Sequence, residues 1–361
     1  MNGNAHLDEK NFSSRWDFLR GGYVGNPLCK NCVRQAHIPP VLWYNIIMLS
    51  DTDSTDITEN DLLAIDRPLL EILLQDRTTG RNIIWATDNY SARGGQYAAD
   101  MPITVGLAAS IKPRSEKSKA EQQRRVRQKA EVFTPCWMCA MQNNLVDEEW
   151  FGGADIFASR EKIPFRTESG RTWQDYVLSK RLEISCGEAP YLANRYDAVT
   201  GERVAVSDRI GLLDRKLRVV TENAADRSDW LEWAHMAVKS VYGFDWQGDN
   251  VLIARENLLL TVAEHYAHTF GEPPAASDLA DLAEIISWNI WQMDALKFVV
   301  PNSCRTETKT EETLFETIAV SKECEGCKSG DNRKHNGIYC VIMDWESGRA
   351  VRFVDLLGGM E

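Results

Sequence analysis

Apolar side chains recur at intervals of three and four residues in several parts of the chain. Residues 61–74, 250–270 and 277–288 show this spacing, with polar side chains in between. The spacing predicts amphipathic helices that bury one face against a core. A polar, glycine-free run from Pro113 to Ala130 predicts a further helix with a solvent-exposed surface. Helices therefore account for a large part of the expected structure.

Short apolar runs bounded by turn residues lie between the predicted helices. They cover residues 181–185, 240–245, 288–293 and 337–344. The first three alternate with helices, so we expect an α/β domain with a mostly parallel sheet and helices on both faces. The fourth run is followed by a Ser-Gly turn and a further apolar run at 350–356, which together predict a C-terminal β-hairpin.

This pattern divides the chain into three segments. Residues 1–110 form an N-terminal helical or mixed region whose role the sequence does not indicate. Residues 111–300 carry the alternating strands and helices, and residues 301–361 carry four cysteines and the predicted hairpin. The spacing from Gly187 to Asp245 is 58 positions, and an insertion at 197–235 accounts for its length.

Composition places the chain among soluble globular proteins. Of its 361 residues, 43% are hydrophobic and 26% are charged. No apolar run is long enough to span a bilayer, and the first residues show no basic stretch leading into an apolar one. We therefore expect a cytoplasmic protein without a membrane partner, whose nine cysteines are reduced thiols or metal ligands.

Charge argues against a surface that binds DNA everywhere. The net charge is −12, whereas phosphate contacts need clustered lysine and arginine. One basic cluster exists, partly offset by two glutamates, and it comprises Lys112, Arg114, Lys117, Lys119, Arg124, Arg125, Arg127 and Lys129. Two interpretations remain open, a solvated helix face or a helix that contacts phosphates.

Three Cys-x-x-Cys pairs have the spacing of metal ligands, at Cys29 and Cys32, Cys136 and Cys139, and Cys324 and Cys327. The middle pair lies in a predicted helix, which favours buried thiols. The last pair lies in a polar loop, where zinc would fix a segment with few apolar side chains. The predicted zinc ligands are Cys304, Cys324, Cys327 and Cys340, with His335 as the alternative fourth ligand.

Four blocks follow one another in a fixed order along the α/β segment. They are Phe133-Thr134-Pro135, then Glu183-Ile184-Ser185-Cys186-Gly187, then Tyr242-Gly243-Phe244-Asp245, and finally Trp291-Gln292-Met293-Asp294. In these blocks the chain resembles the N6-adenine DNA methyltransferases of bacterial restriction–modification systems, in particular proteins named restriction endonuclease subunit M. The resemblance implies a Rossmann-like, S-adenosylmethionine-dependent methyltransferase domain over residues 111–300, with DNA as a partner.

The resemblance also implies a role for individual residues. Thr134 would approach the carboxylate of the methionine moiety at a helix N-terminus, and Glu183 would pair with its ammonium group. Gly187 would let the backbone approach the cofactor, Asp245 would accept from the ribose hydroxyls, and Asp294 from the adenine amino group. The implied cofactor site consists of Thr134, Glu183, Ser185, Gly187, Asp245 and Asp294.

Several features depart from the family pattern. The Gly-x-Gly of the second block reads Gly187-Glu188-Ala189. The Asn/Asp-Pro-Pro-Tyr/Phe block that grips the target base in active members is absent from these 361 residues. Two hypotheses follow. One is a modification subunit that is incomplete alone and needs a second subunit for catalysis and target recognition. The other is a non-catalytic methyltransferase-like subunit of a DNA-defence complex.

Overall fold

The computed structural model describes residues 67–165, 170–312 and 317–357. The α-helices are α1 Arg67–Leu74, α2 Val105–Ala108, α3 Lys119–Lys129, α4 Cys136–Phe151, α5 Trp173–Leu178, α6 Leu212–Asn223, α7 Arg227–Lys239, α8 Gly248–Phe270, α9 Ala276–Asn289, α10 Glu325–Ser329 and α11 Phe353–Leu356. The strands are β1 Arg181–Ile184, β2 Val241–Asp245, β3 Ile290–Gln292, β4 Glu307–Glu312, β5 Thr317–Lys322, β6 Val341–Asp344 and β7 Arg349–Arg352.

The central element is a parallel sheet in the order β1-β2-β3. Helices α6 and α7 connect the first two strands, and α8 and α9 connect the second and third. Both connections step in the same direction along the sheet, so right-handed crossovers place all four helices on one face. The mixed α/β class and the three parallel strands are as predicted, although β3 is shorter than expected because α9 continues to Asn289.

Alternate residues of the strands belong to two different apolar clusters. Val241 and Ile290 pack among the helices, whereas Phe244 and Trp291 face the opposite side of the sheet. That second side is covered by Phe353 and other residues of the C-terminal segment. The expected second helical layer is therefore replaced, within the described residues, by the β6–β7 hairpin and the single turn of α11.

Helix α8 was expected to bury one face, but it is buried on all sides from Gly248 to Ala267. It contacts the sheet and helices α1, α6, α7 and α9. The polar side chains of α8 consequently need partners inside the protein. Glu264 forms ion pairs with Arg195 and Arg209, which come from the connection between β1 and β2, Arg209 from within its insertion at 197–235. This network fixes the insertion to the central helix.

The described part of the N-terminal segment contributes to the same core. Leu70 of α1 and Trp85 lie in the apolar cluster that also contains the helix side of the sheet. Gly248 at the start of α8 lies against the backbone of Ile84, where an added Cβ would come within 2.1 Å of the carbonyl oxygen. The boundaries at residues 110 and 300 remain predictions, and the two segments on either side of 110 share one core. None of the helices in the described ranges is long and apolar enough to cross a bilayer.

Candidate functional site

The predicted cofactor residues lie at one edge of the parallel sheet. Glu183 is in β1, Asp245 is the last residue of β2, and Asp294 follows β3 by two positions. The backbone N–H of Met293 donates to the carbonyl of Asp245 at 3.0 Å, so the ends of β2 and β3 are adjacent. The carboxyl edge of a parallel sheet is where open α/β folds bind ligands.

The turn after β1 has an unusual backbone. Ser185, Gly187 and Ala189 have φ values of 52°, 56° and 61°, respectively. Left-handed conformations at non-glycine residues are costly and tend to cluster at functional sites. A Cβ added to Gly187 would meet only Phe133, at 4.0 Å, so the positive φ, not a close approach, is what favours glycine here. The contact also shows that the Phe-Thr-Pro block lies beside this turn.

The Asp245 carboxylate is held by the turn after β1. It accepts hydrogen bonds from the backbone N–H groups of Gly187 at 3.0 Å and Gln247 at 2.8 Å. Burial raises the pKa of Asp245 to about 6, against the opposing effect of these donors. The Nδ2 group of Asn250 also donates to this carboxylate, at 3.4 Å. A carboxylate has about four acceptor positions, so this one retains capacity for one ribose hydroxyl.

Glu183 points to the helix side of the sheet. It is 8% exposed and accepts a hydrogen bond from the backbone N–H of Leu192 at 3.3 Å. Burial raises the pKa of Glu183 well above its usual range, and the nearby Asp245 adds to the effect. An ammonium group arriving beside Glu183 would reverse this shift, because an opposite charge favours the ionised carboxylate.

Helix α4 begins one residue later than the sequence indicates. Pro135, not Thr134, occupies the N-cap position, and no side chain of the helix caps it. The backbone N–H of Cys136 instead donates to the carboxylate of Asp197 at 2.8 Å. Partial burial opposes ionisation of Asp197, but backbone donors including Cys136 and Thr200 lower its pKa. A carboxylate of the chain therefore lies at the helix N-terminus where the cofactor carboxylate was expected.

Asp294 is bound by its own loop. Its carboxylate accepts from the backbone N–H of Leu296 at 3.0 Å and forms an ion pair with Lys297 at 3.4 Å. It is 5% exposed, so an adenine amino group would reach it only after a local rearrangement.

The basic cluster divides into internal and surface residues. Lys117 and Arg125 are buried and pair with Asp249 of α8, at 3.6 and 2.8 Å. These two residues are structural ion-pair partners, so neither interpretation made from the sequence applies to them. Arg114 and Arg127 belong instead to a shallow depression of about 300 Å³, which is also lined by Lys119, Gln122, Gln123 and Val126.

The second candidate site is a cluster of three cysteines and one histidine. Nδ1 of His335 lies 3.6 Å from each of the sulfur atoms of Cys304, Cys324 and Cys327. The four atoms lie within 4.8 Å of one another, an arrangement that could hold a metal ion. Cys324 also accepts a hydrogen bond from the backbone N–H of Asn336 at 3.2 Å.

Two glycines allow the three cysteines and the histidine to approach one another. A Cβ on Gly326 would lie 2.6 Å from both the backbone nitrogen and Nδ1 of His335. A Cβ on Gly337 would lie 3.0 Å from the sulfur of Cys304. Neither position tolerates a side chain without displacement of a ligand, so glycine is required at both by the close approach itself.

The prediction of Cys340 as the fourth ligand is wrong. Cys340 is fully buried in the apolar cluster behind the sheet, and its thiol donates to the carbonyl of Gln292 at 3.4 Å. Of the two alternatives, His335 is the one in the cluster. The pair Cys136 and Cys139 forms no metal cluster among the described residues, and the pair Cys29 and Cys32 lies outside them.

Sequence reasoning missed Asp197, the residue that occupies the start of α4. The local signal was present, because Asp197 begins an Asp-Ala-Val-Thr-Gly turn and accepts from the N–H groups of Val199 and Thr200, both within 2.9 Å. Its partner Cys136 is 61 positions away, which no local pattern reveals.

No family model matches the chain, and no curated protein or solved structure matches it either.

Proposed function

We propose that residues 111–300 bind S-adenosylmethionine as the cofactor part of an N6-adenine DNA methyltransferase of a restriction–modification system. The observation that carries the proposal is the meeting of three separate sequence blocks. Phe133 lies beside Gly187, and the Gly187 N–H donates to Asp245. All three belong to the four blocks in which the chain resembles this family.

The side chains at the carboxyl edge of the parallel sheet are suited to S-adenosylmethionine. Glu183 and Asp245 supply two carboxylates for an ammonium group and a ribose, and the strained turn at 185–189 lies between them. A bound ammonium group would also offset the unfavourable burial of Glu183.

DNA would approach the exposed part of α3. The depression around Arg114 and Arg127 presents cationic side chains and glutamines, which are suited to phosphate contacts. With a net charge of −12, binding would be local and would weaken steeply with salt.

A second candidate is a non-catalytic methyltransferase-like subunit, favoured by one observation. Asp197 already occupies the N-terminus of α4, where a cofactor carboxylate would be repelled. Under this alternative the sheet edge is a structural remnant. The Asp197→Asn variant separates the two, because removal of the competing charge would strengthen cofactor binding only if the cofactor uses this helix end.

Calorimetric titration of the full chain with S-adenosylmethionine and S-adenosylhomocysteine tests the proposal. We expect micromolar binding, with affinity reduced at least about tenfold in Asp245→Ala because the ribose contact is lost. Asp281→Asn, which alters an exposed carboxylate on α9, is the matched control and should bind like the wild type. The absence of heat at millimolar ligand would reject the first function and leave the second.

A further inference from the structure

We propose that Cys304, Cys324, Cys327 and His335 bind one Zn²⁺ ion, and that the ion is structural. It would hold the base of the β4–β5 hairpin against the loop that follows β3. The inference is independent of the methyltransferase proposal, since it concerns a different cluster of residues.

Distances support zinc. With Zn–S bonds of about 2.3 Å and Zn–N bonds of about 2.0–2.1 Å, tetrahedral coordination places each sulfur about 3.5–3.6 Å from the nitrogen. The three measured separations from His335 Nδ1 are all 3.6 Å. Equal separations of this size leave room for one ion at the centre of the four atoms.

The ligand set favours a structural ion. Three thiolates and one imidazole form a closed tetrahedral shell with no position for water or substrate, which is typical of structural zinc sites. Soft sulfur ligands disfavour magnesium and calcium. The N–H of Asn336 that donates to Cys324 supports a thiolate at that position, as outer hydrogen bonds do in metal sites.

The surrounding structure explains why an ion is needed. Cys304 lies shortly before β4 and Cys324 shortly after β5, so the ion would join the two ends of the hairpin. The flanking residues 305–308 and 321–323 are exposed and supply no apolar core. An isolated two-stranded hairpin is marginally stable in water, so a metal crosslink would contribute much of its stability.

The ion would also fix the loop after β3. His335 belongs to a segment that pairs with this loop through a β-bridge between Val299 and Tyr339. In addition, the backbone N–H of Val300 donates a hydrogen bond to the carbonyl of Ile338 at 2.8 Å. The side chain of Asn336 donates to the carbonyl of Arg305 at 2.8 Å. Loss of the ion would therefore loosen residues 295–305 and 323–340 together.

The first test measures bound metal in the full chain purified without chelators. We expect about one zinc ion per chain, and at least about a tenfold lower content in Cys327→Ser. Cys136→Ser is the matched control, because Cys136 is a partly buried thiol outside the cluster. A content in Cys327→Ser equal to that of the wild type, or a disulfide between any two of the three cysteines in the native chain, would overturn the proposal.

The second test does not depend on a variant that folds. Cobalt added to the metal-free wild-type chain should give the visible spectrum of a tetrahedral ion with thiolate-to-cobalt charge transfer, and zinc should displace it. Hydrogen exchange after chelation should increase in residues 295–305 and 323–340 and stay unchanged in α8. An octahedral cobalt spectrum would refute the ligand set, and unchanged exchange in both segments would refute the structural role.

Discussion

Replacement of Gly326 by alanine isolates the geometry of the proposed zinc site without removal of a ligand. The new Cβ would lie 2.6 Å from Nδ1 of His335, whereas ordinary contacts begin near 3.4 Å. The imidazole would therefore have to move by about 0.8 Å, well beyond the tolerance of about 0.2 Å for metal–ligand distances. Overpacking of this kind costs about 1–3 kcal/mol. We expect zinc affinity to fall by about 5- to 150-fold.

The assay is competition for zinc against a chromophoric chelator. Gly106→Ala is the control, because nothing lies within 4 Å of its added Cβ. Gly326 lies in helix α10, where alanine alone would stabilise the helix by up to about 1 kcal/mol. Helix propensity and the steric argument thus predict opposite signs. Zinc affinity in Gly326→Ala equal to or above that of the wild type would refute the site geometry.

Three further predictions concern stability, each measured by urea unfolding with Asp281→Asn as the control. Glu264→Gln should lose about 3 kcal/mol at pH 7, because two buried arginines lose their anion. The two arginines outweigh the effect of burial and lower the pKa of Glu264 to about 2. The stabilisation from Glu264 should therefore be present above pH 4.5 and disappear as pH falls through 2. An equally steep loss of stability in acid for Glu264→Gln would contradict this prediction. Burial raises the pKa of Asp245 to about 6, so its contribution to the pH dependence of stability has the opposite sign. The free energy of unfolding should fall as pH rises from 4 through 6, and Asp245→Asn should flatten that fall. Gly248→Ala should cost at least about 2 kcal/mol because its Cβ would meet the Ile84 carbonyl at 2.1 Å, and a wild-type urea midpoint would show that this packing is wrong.

The elements that follow from periodicity were predictable from the sequence. Helices α8 and α9 and strands β1 and β2 lie within two residues of their predicted bounds, because apolar spacing records which face is buried. The same pattern could not show that α8 is buried on every side. Its charged residues Glu264 and Arg255 are satisfied by partners from distant parts of the chain, which no local pattern reveals.

Contacts between distant segments account for the errors at the candidate sites. Spacing allowed either Cys340 or His335 as the fourth metal ligand, and the choice depended on which side chain faces the core. Cys340 lies behind the sheet, and His335 is brought to the sulfurs by its close approach to Gly326. Likewise, Thr134 looked like a helix cap, but the acceptor at that helix end is Asp197 from the insertion.

Photochemical crosslinking of radiolabelled S-adenosylmethionine, followed by peptide mapping, locates the cofactor on the chain. We expect label in the peptides that contain residues 131–140 or 181–192, competed by S-adenosylhomocysteine, because these segments meet at the edge of the sheet beside Asp245. Label confined to other peptides, or label that S-adenosylhomocysteine does not displace, would contradict a cofactor site at this edge.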